Sequence, residues 1–212
     1  MNWVDAVLIV LLLAAVIVGS KKGLIREISA TVIVFASIIL TIEYIDQLTV
    51  WLYDNLGGSP LISAFLSFII LLGATYAAFK LLGMAFYRVA DIEASKKRDQ
   101  MGGALIGFVR GWVAIGFLTF LVFLLPMPDG FYEDFEASFF GPTVAKTIPL
   151  IYETTSPVHP KSKSFIQKIE STLLTLPEAT SSGQKNMSED RAEVHRVMYH
   201  IDRFFNTNSG AI

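Results

Sequence analysis

Four long apolar stretches fill most of the first 125 residues, and no other feature restricts the fold as tightly. They run over about residues 3–19, 28–45, 61–83 and 104–125. A bilayer core about 30 Å thick is crossed by roughly 20 helical residues. Helices of soluble proteins show a polar stripe, whereas Val7–Val18 and Leu66–Leu72 are apolar or small all round. Parallel strands are also apolar throughout, but they span only about 4–8 residues. Pro126 and Pro128 end the fourth stretch, because proline cannot donate to the helix ladder. The expected fold is therefore all-α: a polytopic membrane protein with four transmembrane helices (residues 1–125) and a helical extramembrane C-terminal tail (residues 126–212).

Charge is scarce and uneven. Charged residues make up 17% of the chain, against roughly 25% in soluble domains. Nineteen of the 36 charges fall after residue 125. This excludes an ordinary soluble enzyme, a disordered chain and a strongly basic nucleic-acid binder. With no Cys, disulfides, thiolate metal sites and a Cys nucleophile are excluded too.

The basic residues also predict orientation. Lys21, Lys22 and Arg26 lie in the first connection, Ser20–Glu27, and Arg88, Lys96, Lys97 and Arg98 in the third, about Met84–Gly103. The second, Asp46–Pro60, carries only Asp46 and Asp54. Short basic loops stay in the cytoplasm. The first and third connections are thus expected inside, and the N-terminus, second connection and tail outside. The first stretch does not read as a cleaved signal, because its basic residues follow the apolar core instead of preceding it. Within the second connection, Val50-Trp51-Leu52-Tyr53 is a candidate interfacial anchor.

In the tail, Val194, Val197, Met198, Ile201, Phe204 and Phe205 share one helical face, which predicts a helix over about 188–206 with Ser188 as its N-cap. Phe165, Ile166, Ile169, Leu173 and Leu176 predict a second over about 163–176. Glu178–Ser188 reads as a linker. These helices are expected to pack together or lie on the membrane, with binding of a partner as the sharper alternative.

Catalytic signatures do not occur. His195 and His200 are five apart and do not share a face, so neither they nor His159 predicts a metal site, and no cofactor is expected. The acidic run Asp129–Glu136 reads as a solvated outer loop.

Two segments stand out. Lys22-Gly23-Leu24-Ile25-Arg26-Glu27 opens the second helix, where Glu27 suits the positive end of the macrodipole. In Asp99–Gly111, Gly103, Gly107 and Gly111 recur every four residues, a doubled GxxxG face that lets helix backbones approach closely in lipid. Arg110 lies about 10 Å inside the fourth stretch, where an unpaired charge costs several kcal/mol. Asp99 is about 16 Å away along the helix, so Glu27 is the expected partner, reached across the glycine face.

Together these segments resemble the CvpA family, the colicin V production proteins. The first family pattern is matched by Lys22, Gly23, Leu24, Ile25, Arg26 and Glu27. The second is matched by Asp99, Gly103, Gly107, Arg110 and Gly111, with Gln100 where the family has Arg, and Arg98 two residues earlier. Asp5 also fits, as does a Ser-x-x-x-Pro element at Ser138 and Pro142. The resemblance covers about residues 1–145. It implies a multi-pass protein of the bacterial cytoplasmic (inner) membrane, linked to colicin V production or export and to envelope homeostasis. On this reading the chain is a non-enzymatic accessory or scaffold, embedded in the lipid bilayer, whose protein partners are further copies or other membrane or envelope proteins. The alternative is a small oligomeric channel or transporter, although four helices without an inverted repeat and with few intramembrane polar groups argue against it.

Overall fold

Helix α1 (Trp3–Lys22) starts where the Asn2 side chain accepts a hydrogen bond from the Val4 amide, and stops at Gly23, whose φ of 83° is open to glycine. Helix α2 (Leu24–Leu56) follows at once. Helices α3 (Pro60–Tyr87) and α4 (Lys96–Phe123) complete the set long and apolar enough to cross a membrane. The computed structural model describes residues 2–87, 96–155, 164–174 and 184–207. Arg88, His159, Leu176 and residues 178–183 of the expected linker lie outside the described residues.

Two of the expected connections are much shorter than the hydropathy implied. The first shrinks to Gly23, with Lys21 and Lys22 in the last turn of α1 and Arg26 in the first turn of α2. The second keeps only residues 57–59, because α2 runs on for 33 residues, about 50 Å at 1.5 Å per residue. Asp46, Gln47 and Asp54 break the apolar run without breaking the helix, so Val50–Tyr53 is helical, with Leu52 buried and Trp51 exposed. Likewise α4 starts at Lys96, eight residues before its apolar segment.

The four long helices pack in the order α1, α4, α2, α3. Helix α4 is clasped between α1 and α2, and α3 rests on α2. The row curls at the end away from Gly23, where Phe68 of α3 meets Phe117 and Phe120 of α4 at ring distances of 6.0 and 5.1 Å. Val10, Leu13, Ile17, Leu81, Leu82 and Leu105 stay exposed, as expected of faces turned to lipid. Three buried hydroxyls are satisfied within their own helices, Ser37, Thr41 and Ser67 donating to the carbonyls of Ile33, Ser37 and Ser63, whereas Thr49 Oγ1 has no partner among the described residues.

The C-terminal part folds onto that curled end as a cap of helices α5 (Asp129–Glu136), α6 (Gly141–Ala145), α7 (Thr147–Thr154), α8 (Phe165–Leu174) and α9 (Gln184–Phe205). Phe123, at the end of α4, is enclosed by Phe131, Tyr132, Phe135, Phe204 and Phe205 at 4.8–5.6 Å. Phe120 is enclosed by Phe165 and Phe205. The apolar faces read from the sequence of α8 and α9 are the ones turned into this cluster. Two expectations are corrected. Asp129–Glu136 is a helix that buries Tyr132 and Phe135, because its aromatics recur at helical spacing among the acids. Helix α9 begins at Gln184, so residues 184–188 are helical and Ser188 lies inside the helix instead of capping it.

Candidate functional site

The sequence motifs assemble into a polar layer at the α1–α2 junction. Gly23 turns the chain with its Cα against α4, and a Cβ there would overlap the Asp99 carboxylate. Asp99 Oδ1 accepts from the Leu24 amide at 2.7 Å, satisfying one free donor of the first turn of α2. Glu27, fully buried one turn later, faces Arg110, with Nη2 to Oε1 at 2.7 Å. The contact is an ion pair, and Glu27 Oε2 has no hydrogen-bond partner among the described residues. Lys21, Lys22 and Arg26 are exposed around this layer. Arg110 is 14% exposed, so its guanidinium lies largely inside the protein with the pair.

The glycine face has a different partner from the one expected. It packs on α1 instead of α2. A Cβ on Gly107 would lie 2.8 Å from Gly19 Cα, one on Gly103 would lie 2.6 Å from the Gly19 carbonyl oxygen, and one on Gly111 would overlap Ala15. The reason lies in α1, where Ala15, Gly19 and Gly23 also recur every four residues and form the matching groove. That spacing was readable and was missed. The close α1–α4 contact leaves the other side of α4 to meet α2, which brings Arg110 to Glu27.

A second polar layer lies at the opposite end. The buried Asp5 carboxylate accepts from the amides of Phe139 and Phe140 at 3.1 and 3.0 Å and so anchors the turn into α6. Ser138 shapes the same turn, donating to the Phe135 carbonyl at 2.6 Å and accepting from the Gly141 amide at 3.1 Å, while Pro142 opens α6. Trp3 donates to Asp134 at 2.7 Å, and Asn2 donates to the Asp134 carbonyl. On α2, Glu43 accepts from Tyr152 at 3.4 Å, and Asp46 pairs with the buried Lys168 at 3.0 Å. Burial, reinforced by the Glu43 charge, pushes the Tyr152 hydroxyl up to about 12, so it remains a neutral donor. The contacts of Glu43, Asp46, Tyr152 and Lys168 depend on tertiary docking, and no local spacing signals them.

His195 is exposed, whereas His200 stacks on Tyr132 with ring centroids 3.6 Å apart. Among the described residues no group of three or more His, Cys, Asp or Glu gathers into a metal-binding cluster. What the two layers do chemically is lock helices: each charge or amide that would be left unpaired at a helix end meets a partner from another element.

Set beside known proteins, residues 4–149 match a family model described as "Colicin V production protein". The match spans the four long helices, the first layer and the chain into α7, and from the second layer it takes in Asp5, Glu43, Asp46, Asp134 and Ser138 but not Asn2, Trp3, Tyr152 or Lys168. Neither the comparison with curated proteins nor that with solved structures gives a match.

Proposed function

The chain belongs to the colicin V production protein family, and from that premise we propose that it is a membrane scaffold in toxin production or export and in envelope homeostasis, with no catalytic step of its own. The observation that carries this reading is the way the membrane segment and the cap are built into one body. Asp5, Glu43 and Asp46 tie α1 and α2 to the cap, while Phe120 and Phe123 bury α4 in it. Such a body presents two faces of a single helical row to lipid or to other membrane proteins, and a helical cap at one end of that row. With the basic residues of Lys21–Arg26 in the cytoplasm, the cap lies on the outer side of the bacterial inner membrane.

Crosslinking in native membranes followed by identification of the captured proteins tests this. A reproducible set of export or envelope proteins is the expected result. Solute or ion flux through liposomes containing the purified protein alone would replace the scaffold by the oligomeric channel or transporter.

A further inference from the structure

We propose that the cleft between α2, α4 and the bent helix formed by α6 and α7 holds an anionic phospholipid of the surrounding bilayer, its phosphate drawn toward Lys146. The cleft has a volume of about 500 Å³ and an apolar lining that includes Phe35, Trp112, Val113, Leu150 and Ile151. Leu150 is 59% exposed, so the cleft opens sideways and not only through the protein.

The depth follows from the neighbours of α6 and α7. Helix α6 starts beside Phe140, which is tied to Asp5 in the first turn of α1. On either side of the bend at Lys146, a Cβ on Gly116 would lie 3.1 Å from both the Val144 carbonyl oxygen and Thr147 Cβ, and Trp112 donates to Thr147 at 2.9 Å. Trp112 in turn lines a small pocket together with Leu8, Ile9 and Leu12 of α1. Leu12 is nine residues past Trp3, about 13 Å along the helix. Helix α7 then returns to Glu43 through Tyr152. Helices α6 and α7 thus form one bent helix that crosses α4 at Gly116 and Trp112, on the membrane side of its ties to Asp5 and Glu43, with Lys146 at the bend.

An ammonium at that depth calls for an anion or water. Among the described residues Lys146 forms no ion pair. Thr143 and Thr147 line the cleft beside it. The medium filling a side-opening apolar cleft in a bilayer is lipid, and a cation at its tip selects the lipids that carry net negative charge.

Trp112 is a built-in reporter. With Trp3→Phe and Trp51→Phe it becomes the sole tryptophan, to be placed in vesicles containing either brominated phosphatidylglycerol or brominated phosphatidylcholine at equal fraction. The expected result is that the anionic lipid is preferred about fivefold in the quenching isotherm, the scale of one lysine against anionic lipid. Lys146→Gln should bring the two lipids level, and Lys146→Arg should keep the preference, with helicity by circular dichroism unchanged. Equal quenching by both lipids in the Lys146 protein overturns the proposal, and so does absence of quenching by either, which would mean that no lipid enters. If Lys146→Gln fails to insert, the ratio measured with Lys146 present decides alone.

Discussion

Removing the Arg110 guanidinium would leave the Glu27 carboxylate fully buried without its counter-charge, while removing both would leave an apolar gap and no stranded charge. Breaking a buried pair from one side costs about 3–5 kcal/mol. Arg110→Ala should therefore sharply reduce folded protein in the membrane, and Arg110→Ala with Glu27→Ala should recover part of it. Quantifying the detergent-resistant folded fraction across the cycle checks this, and strict additivity of the two singles would show that the residues are uncoupled. A second residue-scale expectation concerns His200. Burial against Tyr132 pushes its pKa below 6.5, the Arg196 charge adding to the effect and Asp129 opposing it. As pH falls below about 6.5, the unfolded chain takes up the proton first. Stability held by neutral His200 is thus present above the unfolded pKa and is lost as pH falls through the folded one. Thermal melts followed by near-ultraviolet circular dichroism should show the cap weakening as pH falls below about 6.5, and His200→Phe should remove that dependence. The Arg110–Glu27 pairing was legible because an intramembrane charge admits few partners. The histidine stack was not, because it depends on α5 being a helix.

At the scale of elements, the α1–α4 contact is set by backbone proximity. A larger residue on the glycine face must push the helices apart, since what it meets is backbone and not a side chain that can swing away. Gly107→Leu is expected to destabilise the protein by at least the 1–3 kcal/mol typical of overpacking. Gly73→Leu on α3, where no atom lies within 4 Å, should be tolerated. Comparing the two in a denaturant titration of the reconstituted protein checks this; equal loss would mean that the close contact does not matter. The sequence makes the spans visible because twenty apolar residues have few other fates. It hides the helix that continues past a span: Asp46 and Asp54 suit water, and helix α2 reaches water at that point without ending. Helix α5 was obscured in the same way, its acidic surface masking Tyr132 and Phe135 underneath.

For the whole molecule, the helix order α1, α4, α2, α3 could not be read from any one segment, because two complementary small-residue faces on non-adjacent helices decide it. Nor could the docking of the cap, which rests on Phe120 and Phe123 at the end of a span meeting Phe165, Phe204 and Phe205 from far along the chain. What was legible is the asymmetry of charge, with basic residues at one end of the row and acidic residues alone at the other. The structure adds that Asn2 and Trp3 of the first helix and Asp134 of the cap meet at the same end. Four crossings with both termini on one side is therefore the central claim. Reporter fusions along the chain test it most directly. Fusions after Gly23 and Arg98 should read as cytoplasmic, and fusions after Gly58 and Ile212 as external. A cytoplasmic reading at Ile212 with an external one at Gly58 would contradict the account, since the cap could not then share a side with the start of α1.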